Sequence, residues 1–151
     1  MRLALYQPDI AQNTGTILRL AACMGVAVDV IEPCGFPFDD RRLRRAGMDY
    51  LDQVDLTRHS SWNAYVSGRQ PGRLILLTTN GDTVFPGLAF RPTDTLMLGQ
   101  ESAGVPGEVH DAADLRLRIP MRGGMRSINV ALAAAMVLTE ALRQTKGFPT
   151  P

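Results

Sequence analysis

Short apolar runs and helical patterns alternate from one end of the chain to the other, and that alternation restricts the fold more than any other feature. Arg2–Tyr6 and Ala27–Ile31 read as strands. Between them a helix is predicted over about Gln12 to Met24, with Ile17, Leu18, Leu20, Ala21 and Met24 at helical spacing and Gly25 as its stop. A short basic helix is predicted over Asp39–Arg45, and another from Ser60 or Ser61 to about Gly68. Arg73–Thr79 and Thr95–Leu98 read as buried strands, and Leu115–Ile119 as one that stops at Pro120. Strands alternating with helices predict an α/β fold, a mostly parallel sheet flanked by helices. With 151 residues and neither an internal repeat nor a linker-like stretch, one domain over 1–151 is expected.

The last and longest helix is predicted from Ser127, as its cap, to about Gln144. Ile128, Val130, Ala131, Leu132, Ala133, Ala134, Ala135, Met136, Val137 and Leu138 leave almost no polar face in its first turns. Such a helix requires cover on more than one side. The sheet supplies one side. A second copy of the chain is the economical cover for the other, and a central place within one core is the alternative.

The formal net charge is +1, so partners must be read from where the charge sits. Arg41, Arg42, Arg44 and Arg45 form one group, and Arg116, Arg118, Arg122 and Arg126 a second. Concentrated arginine can contact phosphate locally. Asp39 and Asp40 beside the first group allow the plainer reading of a solvated, internally paired helix face. His59 and Trp62 read as structural rather than as stacking partners for RNA. Cys23 and Cys34 offer neither a disulfide framework nor Cys-x-x-Cys spacing, and are expected as reduced, small apolar residues in the cytoplasm. The amino terminus turns polar at Gln7-Pro8-Asp9, and no window approaches the roughly 20 apolar residues that span a bilayer. Neither a membrane nor a metal is expected.

Chemistry gathers in three segments, each beside a predicted strand. Asn13-Thr14-Gly15-Thr16-Ile17-Leu18-Arg19 opens the first helix, with Asn13 as a good cap residue and Gly15 permitting close approach of a ligand or backbone. Taken alone, it is a capped helix with a surface arginine. Leu98-Gly99-Gln100-Glu101-Ser102-Ala103-Gly104-Val105-Pro106 leaves a strand at its carboxyl end, where open α/β sheets bind ligands. It is no Gly-x-Gly-x-x-Gly fingerprint, and the chain has no Walker sequence. Ile119-Pro120-Met121-Arg122-Gly123-Gly124-Met125-Arg126-Ser127-Ile128-Asn129 links the last strand to the last helix, with exposed N–H groups and Arg126 favouring an anion.

In this order the segments resemble the Asn-x-Gly-x-x-x-Arg, Gly-x-Glu-x-x-Gly-(Leu/Val)-Pro and Ile-Pro-Met…Ser-(Met/Ile)-Asn motifs of SPOUT-class RNA 2′-O-methyltransferases. Ile31-Glu32-Pro33-x-Gly35-Phe36 and Asp39–Tyr50 resemble the signature of the minimal TrmL-type subgroup, which acts on the wobble cytidine or uridine of certain leucine tRNAs. The likeness runs from Leu3 to about Gln144. The chain departs from it in having Gln100 for the usual proline, Ala131-Leu132-Ala133 where Ser-Asn is common, and Thr139 where tyrosine is common.

The resemblance implies a C-terminal deep trefoil knot, a homodimer, a tRNA substrate and S-adenosylmethionine bent among the knot loops, with no metal. It carries cofactor contacts onto Leu77, Gly99, Ile119 and Ser127, with Glu101, Met121 and Asn129 nearby. Catalysis falls to Arg19, with Asn13 holding its geometry and Glu101 fixing Asn13 or a loop. Arg41, Arg42, Arg44, Arg45 and Arg126 are the candidate RNA contacts. Three alternatives stay open: the same chemistry at another tRNA position or on rRNA, an RNA-binding dimer without turnover, and a nucleotide-dependent oxidoreductase, which the missing fingerprint disfavours.

Overall fold

The computed structural model describes residues 1–151. The chain runs β1 (Arg2–Tyr6), α1 (Ala11–Met24), β2 (Ala27–Ile31), α2 (Arg41–Gly47), a 3-10 helix (Met48–Gln53), β3 (Leu56–His59), α3 (Trp62–Gly68), β4 (Leu74–Leu77), β5 (Thr83–Val84), β6 (Thr95–Leu98), α4 (Gly107–Ala112), β7 (Leu115–Arg118) and α5 (Val130–Thr145). The strands form one sheet in the order β3-β2-β1-β6-β4-β7-β5. Every neighbouring pair is parallel. The expected α/β architecture is therefore present, with every strand linked to its neighbours through helices or long connections.

Both faces of the sheet are covered, which is why its central strands are apolar at nearly every position. Leu3, Leu5, Val28, Val30, Leu96 and Leu98 point to one side, where Ile17 and Leu18 of α1 and Ala134, Val137 and Leu138 of α5 meet them. Ala4, Tyr6, Ile31, Leu76 and Met97 point to the other, against Tyr65 of α3 and Val109 of α4. Each fully buried leucine or isoleucine of these layers contributes about 1.5–3 kcal/mol. His59 and Trp62 belong to this packing. His59 Nε2 lies 2.7 Å from Asp29 Oδ1, and its ring meets Tyr65 edge-on at 5.2 Å, while Trp62 meets Tyr65 at 5.5 Å. Arg2 Nε holds the other Asp29 oxygen at 2.8 Å, so that buried carboxylate is paired on both sides.

Several local expectations need correction. The first helix begins at Ala11, its cap position is Ile10 without a side-chain hydrogen bond, and Asn13 lies inside the first turn. The last helix begins at Val130, and Asn129, not Ser127, caps it by accepting from Ala131 N at 2.9 Å and Leu132 N at 3.3 Å. Ser127 and Asn129 are both competent cap residues, and the path of the preceding loop chooses between them. Gly25 and Ser61 act as expected: Gly25 closes α1 in the left-handed region, and Ser61 Oγ accepts from Ala64 N. Of the cysteines, Cys34 is half-buried, its thiol pushed up to about 11 by burial, whereas Cys23 is exposed. No helix is long and apolar enough to cross a membrane.

α5 buries Ala131, Ala134, Val137, Leu138, Ala141 and Leu142, yet leaves Leu132 60% and Met136 43% exposed on its opposite face. These two residues stand one turn apart. Within one chain the sheet covers one side of this helix only.

Candidate active site

The register of the sheet explains why distant segments meet. Leu77 of β4 pairs with Leu98 of β6 and with Leu117 of β7, so the three strands end nearly level. The segments leaving them converge at the carboxyl edge of a parallel sheet, and a cavity of about 420 Å³ opens there. Leu77, Gly99, Glu101, Ile119, Met121, Ser127 and Asn129 all line it, as does Asn13 from the start of α1. Each residue carried over for cofactor contact thus falls in one place. Most of the wall is apolar, and Glu101 is the one residue in it that can carry charge.

Gly99 permits a close approach, but the partner is the chain itself. A Cβ there would lie 2.8 Å from the carbonyl carbon of Gly104 and 2.9 Å from its oxygen. Gln100 and Gly104 exchange two backbone hydrogen bonds of 2.8 Å, folding residues 99–104 into a closed loop against the end of β6. Gly15 serves the same end in α1, where a Cβ would collide with the Leu43 carbonyl and lie 2.8 Å from Ala46 Cβ. Its absence lets α2 lie against α1.

A chain of polar contacts ties these segments together. Asn129 Nδ2 donates to Asn13 Oδ1 at 3.0 Å, and Asn13 Nδ2 reaches Glu101 Oε1 at 3.5 Å, the outer limit for such a bond. Asp9, just past β1, completes the chain. Its N–H donates to Glu101 Oε2 at 3.1 Å, its Oδ1 accepts from Glu101 N at 3.1 Å, and its Oδ2 accepts from the Ser102 hydroxyl. Burial first, and Asp9 second, push the Glu101 carboxyl above its ordinary range. The hydrogen bond from Glu101 holds Asp9 below its own. Glu101 is engaged through both side-chain oxygens and its own N–H in fixing the loop. Sequence reasoning passed over Asp9; its position directly after a parallel strand was the available signal.

Arg19 stands apart. It is exposed, does not line the cavity, and rests its Nη1 3.1 Å from Met48 Sδ with the guanidinium 5.3 Å from the centre of the Tyr50 ring. Tyr50 and Met48 thus set its direction.

The arginines of α2 divide in a similar way. Asp40 caps the helix and grips Arg42 through two oxygens, at 2.9 and 3.1 Å, which lowers its carboxyl to about 2. Arg41, Arg44 and Arg45 are exposed and enter no ion pair. Arg126 lies in a separate groove beside the cavity. No three His, Cys, Asp or Glu side chains stand together as a metal site would require.

Comparison with known proteins places this geometry. The SpoU rRNA methylase family matches residues 1–139. A tRNA (cytidine(34)-2′-O)-methyltransferase of Beijerinckia indica is 60% identical over 144 residues, covering 94% of this chain and 90% of that protein. A structure reported as giving insight into 2′-OH methylation of C/U34 on tRNA superimposes with a TM-score of 0.89 at 39% identity, covering 95% of this chain and 94% of the other. The SpoU methyltransferase AviRb of Streptomyces viridochromogenes, solved with AdoMet, matches at a TM-score of 0.83 and 26% identity, covering 95% of this chain and 57% of the other. A family match over nearly the whole length, on an architecture that brings residues of all three motifs to one cavity, settles the relationship: this chain belongs to the SpoU rRNA methylase family.

Proposed function

We propose that this chain transfers a methyl group from S-adenosylmethionine to the ribose 2′-hydroxyl of nucleotide 34, cytidine or uridine, of leucine tRNAs, as a cytoplasmic homodimer. The observation that carries the reading is the single cavity that draws Asn13, Gly99, Glu101, Ile119, Ser127 and Asn129 from segments up to 116 residues apart. The relatives named for this reaction at nucleotide 34 supply the substrate class.

The cavity suits the cofactor. Its volume lies in the range of small-molecule sites, and apolar walls bearing one carboxyl group favour a cationic ligand over an anionic one. S-adenosylmethionine supplies a methyl group on cationic sulfur. Leu77 and Ile119 stand at strand ends, where main-chain groups can read the adenine while their side chains exclude water. Gly99 and the closed loop behind it give one wall, and Ser127, Met121 and Asn129 the other. Orienting oxygen, methyl and sulfur in line is the main source of rate, an effect of roughly 7–11 kcal/mol in well-oriented systems.

Arg19 stays protonated in proteins and therefore clamps the phosphate of the acceptor nucleotide, leaving that phosphate or a water to take the proton. Asn13, on the cavity wall, holds the geometry of the site that this clamp completes. Because Arg19 does not line its own cavity, it serves the cavity of a second copy, and the bare Leu132–Met136 face of α5 offers the surface on which the two copies meet. The trefoil knot belongs to the same reading. Its support is that Gln144 near the end of α5 donates to Leu88 O at 3.1 Å and accepts from Phe90 N at 2.9 Å, tying the last helix to the β4–β6 connection it would thread.

The test is transfer of labelled methyl to leucine tRNA, with the ribose mark mapped by nucleotide. We expect the mark at nucleotide 34. Arg19→Ala should lower turnover by roughly a hundredfold or more, the range for losing one charge-stabilising group, with cofactor affinity retained. No mark on any tRNA, or a monomer that turns over normally, would overturn the reading.

A further inference from the structure

We propose that Arg118, Arg122 and Arg126 form a track for the phosphates of single-stranded RNA, running from the methyl-transfer cavity along the segment between β7 and α5. The inference rests on the reading of this chain as a tRNA methyltransferase and deepens it by assigning where the strand flanking the acceptor nucleotide lies. A groove of about 300 Å³ is lined by Thr79, the three arginines and the other residues of 119–125. No acidic residue lines it.

Three observations support a polyanion there. First, all three side chains are exposed, and none is neutralised. The ion-paired arginines of this chain are Arg2, Arg42, Arg58, Arg73 and Arg143, each held by a carboxylate. Clustered guanidiniums without partners raise a local positive potential, although the whole chain is nearly neutral. Second, the groove shares Thr79, Ile119 and Met121 with the cavity. A compartment whose one ionisable side chain is a carboxyl thus adjoins one whose charge is entirely basic, and their common wall is where a cationic donor and an anionic strand would meet. Third, Gly123 and Gly124 have nothing near the position of a Cβ, so a strand can approach the backbone of this loop closely.

This groove differs from the basic face of α2, where Asp40 already engages Arg42. The anticodon loop that carries nucleotide 34 is single-stranded, so its backbone can bend into a short groove as a duplex cannot. Fork-shaped guanidiniums suit phosphate oxygens.

The experiment compares the full chain with Arg118→Ala/Arg122→Ala and Arg118→Lys/Arg122→Lys, measuring binding of an anticodon stem–loop and of a fully duplex RNA across a salt series. Methylation of tRNA and binding of S-adenosylmethionine are followed alongside. Each phosphate contact on a single strand contributes about 0.7 to the slope of log affinity against log salt. The double alanine variant should lose about 1.4 in that slope and bind the stem–loop roughly twentyfold more weakly near 0.1 M salt. Its KM for tRNA should rise in step, while kcat at saturating tRNA and cofactor affinity stay close to those of the unmodified chain. The lysine variant should keep the slope. An unchanged slope in the alanine variant would overturn the track, as would an equal loss of affinity in both variants, since the arginines would then only shape the loop. Equal weakening toward duplex RNA would overturn the single-strand assignment. If the unmodified chain left no mark on tRNA, the underlying reading would fail instead, which is a separate outcome.

Discussion

Replacing Asn129 tests whether one side chain both caps α5 and braces the active site. Its Oδ1 accepts from Ala131 N and Leu132 N, and its Nδ2 donates to Asn13. Asn129→Ala removes both. Loss of a helix cap costs about 1 kcal/mol, and loss of a partly exposed hydrogen bond about 0.5 kcal/mol more. The sum of about 1.5 kcal/mol corresponds to a fall in Tm of roughly 3–6 °C for a chain of this size. Asn129→Asp keeps the accepting oxygen and sets a negative charge at the start of a helix, worth about 0.3–1 kcal/mol. It loses the donor to Asn13, so its stability should lie within about 0.5 kcal/mol of the parent. Both variants release Asn13 from the cavity wall, and both should weaken S-adenosylmethionine binding about fivefold, the equivalent of roughly 1 kcal/mol. Urea denaturation at one protein concentration separates the variants, and calorimetric titration groups them. An aspartate variant as unstable as the alanine variant would refute the capping role. Normal cofactor affinity in the aspartate variant would refute the brace.

Gly99→Ala should weaken cofactor binding more than tenfold and cost about 1–3 kcal/mol in stability, because its Cβ meets Gly104 backbone that cannot move aside; isothermal titration and thermal melts check both. Thr14→Val should leave stability unchanged or raise it by about 1 kcal/mol, since the Thr14 hydroxyl is buried without a hydrogen-bond partner; a fall in Tm would show that a water or unseen group satisfies it. Asp40 and Glu140, each held down to about 2 by a neighbouring arginine, contribute stability that is present above the ordinary carboxylate range and lost as pH falls towards about 2. The arginines that hold these carboxylates are 64% and 67% exposed, so melting curves between pH 5 and about 2 should show a small acid-side loss that shrinks in high salt and flattens in Glu140→Gln.

The legible parts of the sequence were those governed by neighbours along the chain. The central strands could be read because residues such as Leu74–Leu77 and Thr95–Leu98 are apolar on both faces, and a parallel sheet buries both. β3 and β5 could not. Leu56-Thr57-Arg58-His59 sits at one edge of the sheet with its middle residues exposed, and Thr83-Val84 is a two-residue strand at the other edge. Edge strands of this kind keep too little apolar pattern to announce themselves. The three motif segments were likewise visible as unusual loops, whereas Asp9 carried no mark until β1 set it beside Glu101.

Periodicity, turn residues and motif order therefore determined the α/β class, the helix and strand centres and which loops stand out from ordinary connections. Tertiary structure decided what those loops become together. The strand order β1-β6-β4-β7 and the level ends at Leu77, Leu98 and Leu117 create the cavity, and the same packing leaves Arg19 outside its lining and Leu132 and Met136 bare. Local propensity is set by a few adjacent residues, but a register or a shared wall is set by burial between segments tens of residues apart, for which a linear pattern holds no coordinate.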